Sequence, residues 1–148
     1  MADQFSVGVF AVVRDPSGRV LLVQQTYGRR KWSLPGGGLD HGETPTDGVR
    51  REVREEAGLE ITEPTLVGVF TRFSISTGIG RDLVFVFVDT AEEAPVETTC
   101  PEEISSVGFF NTEELPDLYQ TQRNLLECVL QKRDGPLIFG TISEGNIV

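Results

Sequence analysis

Cysteine, histidine, positive charge and long apolar runs are all scarce in this sequence, and several of these shortages exclude a class of protein. The two cysteines, Cys100 and Cys128, can form at most one disulfide bridge and do not resemble a cysteine-rich metal site. The longest apolar runs, Val7–Val13 (interrupted by Gly8) and Leu83–Val88, are too short to span a bilayer. The first ten residues lack a basic stretch followed by a long apolar run, so we expect no secretory signal. A cytoplasmic location away from membranes is the expectation.

Positive charge is the clearest deficit, because 23 acidic residues outnumber 13 basic ones and the net charge is -10. Such a balance argues against nucleic acid or an anionic membrane as a partner. An anionic small molecule can still bind if metal ions lie between it and the protein, since bound cations are often the largest local charges. The 148 residues suit one domain, placed over residues 1–148, because no repeat or linker divides the chain. A homodimer is left open.

Apolar runs and turn residues predict five main strands, mostly joined as hairpins. These strands are Val7–Val13 and Val20–Gln25, joined by the Asp15–Gly18 turn; Leu66–Phe73 and Leu83–Val88, joined by the Ser74–Asp82 loop; and Val107–Phe110. Trp32–Leu34 is a short extended piece, and Ala91–Glu103 is an acidic loop. Apolar spacing predicts a helix over Leu118–Arg133, whereas the tail Leu137–Val148 has no assignment.

The best-marked helix is predicted over Pro45–Ala57. Thr44 suits the N-cap, Pro45 the first helical position and Gly58 the position after the last turn. Its buried stripe repeats every four residues, at Val49, Val53 and Ala57.

Three carboxylates lie beside that stripe, at Glu52, Glu55 and Glu56. Residues three and four apart are neighbours on a helix, so these like charges repel one another. One interpretation is a solvated face crossed by ion pairs to the arginines at positions 50, 51 and 54. The other is a site for a hard divalent cation, which binds through a few carboxylates together with substrate phosphates.

The surrounding sequence resembles the signature of the Nudix hydrolases. From Gly37 to Leu59 it reads G-x5-E-x7-R-E-V-x-E-E-x-G-L, a match at every defined position, and Trp32–Gly37 resembles the usual lead-in. The resemblance implies an α/β fold in which a mixed β-sheet lies between helices (α/β/α), with the signature as a loop-helix-loop. It also implies Mg2+- or Mn2+-dependent hydrolysis of a diphosphate bond in a nucleoside diphosphate linked to another group.

The resemblance also assigns roles to residues. It implies metal ligation by Glu52, Glu55, Glu56 and the Gly37 carbonyl, and a brace between Glu43 and Arg51 that holds the loop on the helix. These five charged side chains form the predicted catalytic set. The general base is Glu55 or Glu56, or an acid of a distant loop, for which Glu97, Glu102 and Glu103 are available.

Several other residues allow both a functional and a purely structural interpretation. Arg29 and Arg30, beside Tyr27 and Lys31, can hold a phosphate or can belong to a solvated loop, and the same holds for Arg72 and Arg81 beside the predicted hairpin loop. Phe70 and Phe73 can stack on a base or pack in the core, and His41 can contact a phosphate or lie in solvent.

The substrate is the least determined property. Nucleoside triphosphates are slightly favoured, because Ser74–Ser76 lacks the proline frequent in ADP-ribose hydrolases of the family and the marks of other subfamilies are also missing. ADP-ribose, nucleotide sugars and dinucleoside polyphosphates remain alternatives. A nucleotide sensor that does not cut its ligand is the alternative from another class, and an isoprenoid diphosphate isomerase is a third.

Overall fold

The computed structural model describes residues 6–72, 82–92, 94–132 and 138–142. Within these ranges the chain forms eight strands and two helices. In chain order they are β1 (Ser6–Arg14), β2 (Val20–Gln25), β3 (Trp32–Ser33), β4 (Gly36–Gly38), α1 (Pro45–Ala57), β5 (Thr65–Arg72), β6 (Asp82–Thr90), β7 (Ile104–Phe110), α2 (Gln120–Gln131) and β8 (Ile138–Ile142). No helix in these ranges is long and apolar enough to cross a membrane.

The strands form one mixed sheet in the order β3-β2-β1-β6-β5-β8, with β4 added on β1 and β7 on β2. At its centre β1 runs parallel to β6 along its whole length, from the pair Ser6–Asp82 to the pair Arg14–Thr90. β5 is antiparallel to β6, as the predicted hairpin requires, and parallel to β8. The central strand β1 is apolar along most of its length because both of its faces are buried.

Each face of the sheet carries one helix, because successive side chains of a strand point to opposite faces. On β1, Val9, Ala11 and Val13 pack in the same cluster as the α1 stripe of Val49, Val53 and Ala57. Phe10 and Val12 point the other way and pack with Leu125, Leu126 and Val129 of α2. The predicted α/β/α arrangement is therefore confirmed.

The first predicted hairpin closes only at its turn, which corrects the expectation from sequence. β1 and β2 pair at Arg14–Val20 and then separate. The segment from β3 to β4 enters the gap: β3 pairs with β2, whereas β4 pairs with β1. The Ala11 N–H donates to the Pro35 carbonyl at 3.0 Å between the two. Apolar alternation identifies strands but contains no information about this separation, which depends on a third segment.

Both ends of α1 agree with the prediction. The Thr44 hydroxyl accepts a hydrogen bond from the Asp47 N–H at 3.1 Å, and Gly58 adopts a left-handed φ of 69°. The N–H of Gly58 donates to the Arg54 carbonyl, which closes the last turn. The start and end of this helix therefore follow from local chemistry.

Elsewhere the boundaries differ from those predicted. β7 begins at Ile104, three residues before the expected start, and α2 spans Gln120–Gln131. Leu118 belongs instead to an isolated bridge with Trp32. The tail that had no assignment contributes β8. Residues 74–81 of the predicted Ser74–Asp82 loop lie outside the described residues, as does Phe73, whereas Asp82 begins β6. Phe70 is fully buried in the core.

Gly58 is expected to be intolerant of any side chain. An added Cβ would lie 2.5 Å from the Glu97 carbonyl oxygen, and the left-handed backbone disfavours L residues. Gly58→Ala should lower the free energy of unfolding by more than the roughly 1–2 kcal/mol that a left-handed conformation alone costs. Gly18→Ala is the control, because Gly18 has φ +86° and an added Cβ there would meet nothing within 4 Å. Equal losses in urea unfolding for the two variants would contradict the steric part of this argument.

Candidate active site

A cleft of about 560 Å³ lies where the glycine strand β4, helix α1 and the start of α2 meet. Three carboxylates line it: Glu52 and Glu56 from α1, and Glu103 from the loop before β7. Gly36, Gly37 and Gly38 form the adjacent wall. The structure thus brings two of the three signature glutamates together with one of the loop acids.

Glu56 is the most buried of these acids, with 7% of its surface exposed. Its Oε1 accepts a hydrogen bond from the Gly36 N–H at 2.6 Å, which ties α1 to the start of β4. Burial, reinforced by the charges of Glu52, Glu103 and Glu55, raises the pKa of Glu56 to about 8, although the Gly36 hydrogen bond opposes the shift. The sequence predicted acids at the edge of the fold, whereas this one lies beneath the glycine strand.

Glu52 lies directly against Gly37. A Cβ built on Gly37 would come within 2.8 Å of Glu52 Oε1, so any side chain there would displace the carboxylate. Burial is the main cause that raises the pKa of Glu52, and the charge of Arg51 opposes it. The absence of a side chain at Gly37 therefore leaves the space that the Glu52 carboxylate occupies in the cleft.

Arg51 connects the loop to the acidic face of α1. Its Nε and Nη2 donate to the two oxygens of Glu43 at 2.8 and 3.0 Å, and Nη2 also donates to the Gly38 carbonyl at 3.1 Å. Its Nη1 donates to both Glu52 and Glu55, at 3.1 and 3.2 Å. Hydrogen bonding to Arg51 holds the pKa of Glu43 below its usual range. This is the geometry that the predicted brace requires.

The donor set suits a hard divalent cation, although the described residues do not hold one ready-made site. No three His, Cys, Asp or Glu side chains in the described ranges are already arranged around a single metal position. Glu52 and Glu55 instead share Arg51, and the Glu55 side chain is 47% exposed. Carboxylate oxygens are the ligands that Mg2+ prefers. Burial, with the nearby charges of Glu52, Glu103 and Glu55, raises the pKa of Glu56, and a bound cation would favour its ionised form.

Only one of the three candidate glutamates of the acidic loop is among the described residues that line the cleft. The Thr26 N–H donates to the Glu103 carbonyl at 2.9 Å, which anchors Glu103 beside the end of β2 at the cleft wall. Glu97 lies beside the C-terminal end of α1, where its N–H donates to the Ala57 carbonyl at 3.1 Å, and it is not among the described residues that line the cleft. The Glu102 carbonyl accepts a hydrogen bond from the Thr26 hydroxyl at 2.7 Å. Of the three, Glu103 is the one that lines the cleft.

Two of the four predicted phosphate-binding arginines, Arg29 and Arg30, are not among the described residues that line this cleft. Arg29 and Arg30 are exposed in the loop before β3, where Arg30 has a positive φ of 54°. The backbone of Arg72 ends β5, whereas its side chain and all of Arg81 lie outside the described residues. His41 is exposed in a turn.

Sequence reasoning missed the wall that faces the carboxylates. This wall includes Ser33 and the polar start of α2, and its members are Gln25, Tyr27, Gly28, Ser33, Tyr119, Thr121 and Gln122. Segment 117–119 runs beside Trp32, since the Trp32 N–H donates to the Asp117 carbonyl and the Tyr119 N–H to the Trp32 carbonyl. Polar residues at the start of an amphipathic helix are normally interpreted as solvent-exposed. No local sequence pattern therefore identifies this wall as part of a site.

Comparisons with known proteins agree with the fold and with the signature. A family model described as the NUDIX domain matches residues 4–129. A MutT-like protein from Streptomyces ambofaciens is 43% identical over 112 residues, which are 76% of this chain and 68% of that protein. An RNA pyrophosphohydrolase from Saccharophagus degradans is 32% identical over 84 residues, 55% of this chain, and the match spans about half (49%) of that protein.

The structural comparison gives the same result. The crystal structure of a MutT NUDIX hydrolase from Burkholderia pseudomallei superposes with a TM-score of 0.74 at 28% identity, covering 84% of this chain and 97% of that one. A mixed sheet between two helices, with a glycine strand against an acidic helix, is the class of domain that the fold and site define. The chain belongs to the NUDIX family.

The brace can be tested by Arg51→Met, which keeps an aliphatic side chain but removes the guanidinium. Its loss leaves Glu43, Glu52 and Glu55 without their shared donor, so we expect the free energy of unfolding to fall by at least about 2 kcal/mol. Arg54→Met is the control: it removes the same charge from an exposed pair with Glu60, and solvent screening of that pair means that it should destabilise the protein much less. Similar losses in urea unfolding would contradict the brace.

Because Glu56 is buried, we expect the stability of the metal-free protein to depend on pH. Between the ordinary pKa of 4.5 and the folded value of about 8, the folded state keeps a proton that the unfolded state releases. The contribution of this group to stability is therefore fully present below pH 4.5 and falls as pH rises toward 8. With chelator present, the melting temperature of Glu56→Gln relative to wild type should rise from pH 5 to pH 8.

Glu60→Gln is the matched control for this experiment, because Glu60 is exposed and bonded to Arg54, which lowers its pKa. Its melting temperature relative to wild type should not rise over the same interval. A constant difference between Glu56→Gln and wild type across that range would contradict the buried, repelled carboxylate.

Proposed function

We propose that the protein hydrolyses a phosphoanhydride bond of a nucleotide derivative and depends on Mg2+ or Mn2+ to do so. The observation that carries the proposal is the convergence of Glu52, Glu56 and Glu103 on one cleft beside a glycine strand. The Nudix signature and the relatives named as pyrophosphohydrolases support the same reaction class.

Glu52, Glu56 and the Gly37 carbonyl are the groups that would hold the metal, with Glu55 joining after its exposed side chain leaves Arg51. When bound, the metal neutralises charge on the phosphate oxygens and lowers the pKa of water. The protein's own part is to hold these acids in place: Gly36 anchors Glu56, and Gly37 leaves room for Glu52. Arg51 keeps the loop and the helix in register.

Glu103 is the loop acid that we assign to the water. It lines the cleft together with Glu52 and Glu56, and its backbone carbonyl is held by a hydrogen bond from the Thr26 N–H. A carboxylate there can take a proton from water as the phosphoanhydride bond breaks. Glu97 is not among the described residues that line the cleft, so we assign it no chemical role.

Nucleoside triphosphates are our preferred substrate class, as the sequence also favours. The cleft volume of about 560 Å³ is within the range typical of small-molecule sites. The net charge of -10 opposes binding of long nucleic acids, although a relative is named for RNA. ADP-ribose, nucleotide sugars and dinucleoside polyphosphates are the competing substrates, and a cytoplasmic location and a homodimer stay expectations.

The reaction is tested with Glu56→Gln at saturating Mg2+. The change removes an anionic ligand from the cleft, and the expected fall in kcat is at least about a hundredfold, comparable to loss of a general acid or base. Hydrolysis of a panel of nucleotides, with products identified, is the measurement. It also separates an enzyme from a sensor, which would bind a nucleotide and leave it intact.

Two controls accompany this measurement. Glu60→Gln, four residues further on and outside the cleft, should hydrolyse at close to the wild-type rate. Excess chelator should abolish wild-type hydrolysis. Hydrolysis that persists without metal, or equal rates for the two variants, would refute the proposed mechanism.

A further inference from the structure

The loop that carries Glu103 is attached to the acidic helix at one backbone carbonyl, that of Glu55. The last carbonyls of an α-helix have no partner within the helix, so groups outside it must satisfy them. The Glu55 carbonyl lies in this last turn of α1. The Thr99 N–H and the Thr99 hydroxyl both donate to it, each at 2.8 Å. One residue of the loop therefore binds one carbonyl of α1 through two donors.

The hydroxyl bond of Thr99 is not needed to satisfy the end of the helix. The carbonyl of Ala57, by comparison, accepts from the Glu97 N–H alone among the described groups. The hydroxyl bond is exposed, and water can replace such a bond at little cost in stability. Two bonds from one residue to one acceptor, however, fix its orientation as well as its distance. The Thr99 hydroxyl is therefore suited to positioning the loop rather than to capping the helix.

A short turn connects this attachment to Glu103. The Thr98 hydroxyl accepts a hydrogen bond from the Cys100 N–H at 3.1 Å, which fixes the backbone on both sides of Thr99. The Cys100 carbonyl in turn accepts from the N–H groups of Glu103 and Ile104, each at 3.0 Å. These bonds form one connected unit between α1 and the start of β7.

Glu103 has a second attachment, which leads to the sheet. Thr26, directly after β2, donates its N–H to the Glu103 carbonyl at 2.9 Å and its hydroxyl to the Glu102 carbonyl at 2.7 Å. This attachment fixes Glu103 relative to β2, whereas the proposed metal ligands belong to α1. The bonds from Thr99 are the ones that fix the loop acid relative to the helix that carries those ligands.

We propose that Thr99 is a positioning residue that sets the distance between Glu103 and the carboxylates of α1. This inference rests on the proposed function, because it takes Glu103 as the group that receives a proton from water. A displacement of about 1 Å in a reacting group can lower a rate about a hundredfold. Thr99 is not among the described residues that line the cleft, so it acts through Glu103 and not on the substrate.

Thr99→Val tests this role, because it removes the hydroxyl and keeps both the N–H bond and the shape of the side chain. With Mg2+ and each of the four common nucleoside triphosphates, we expect kcat to fall at least about tenfold and KM to stay within about twofold of wild type. Thr99→Ser keeps the hydroxyl and should restore kcat. In a Glu103→Gln background, Thr99→Val should change kcat less than about twofold, since the group that it positions is absent.

Thr44→Val is the matched control, because it removes a hydroxyl that caps the opposite end of α1. It should lower the melting temperature at least as much as Thr99→Val does and leave kcat near that of wild type. An unchanged kcat in Thr99→Val would overturn the proposal. So would equal falls in kcat for the two valine variants, failure of serine to restore kcat, or an undiminished effect in the Glu103→Gln background.

Residual dipolar couplings of backbone N–H groups, measured on the metal-free protein, separate this inference from the proposed reaction. They report the orientation of residues 100–103 relative to α1 whether or not any nucleotide is hydrolysed. Thr99→Val should change this orientation, and Thr99→Ser should not. A changed orientation in a protein that hydrolyses none of the tested nucleotides would uphold the positioning of Glu103 and refute the reaction. Hydrolysis with an unchanged orientation would refute the positioning and uphold the reaction.

Discussion

The hydrogen bond from the Gly36 N–H to Glu56 is the contact on which the candidate site depends. It joins the first residue of β4 to the last full turn of α1 across 2.6 Å. Glu56 is buried there, and the neighbouring Gly37 lies against the Glu52 carboxylate, so both acids line the cleft beside β4. A carboxylate in such a position costs folding free energy, which fits a residue retained for chemistry rather than for stability.

Two kinds of positive charge can balance the acids of this region: one arginine side chain and a cation bound in the cleft. Arg51 satisfies Glu43 fully and reaches Glu52 and Glu55 with a single nitrogen. Glu56 receives no such partner among the described side chains and keeps a raised pKa. The brace therefore stabilises the loop while leaving part of the acidic cluster uncompensated, and that remainder is what a divalent cation would neutralise.

The separation of β1 from β2 makes room for both walls of the cleft. The segment from β3 to β4 bridges the gap: its Ser33 end meets α2 through Leu34 and Gln122, whereas its Gly36 end meets α1 through Glu56. One short segment thus sets the spacing between the start of α2 and the proposed metal ligands of α1. A shift of either helix against the sheet would change that spacing.

The sequence by itself determined the parts of this protein that local chemistry controls. The cap at Thr44, the left-handed Gly58 and the four-residue stripe specified α1 to the residue, and the family signature specified its acids. The tertiary structure alone decided that Glu56 is buried, that Glu103 and not Glu97 lines the cleft, and that Gln122 lines the same cleft. These properties depend on contacts between segments distant in the chain, such as Leu34 with Gln122, and no periodicity within one segment encodes them.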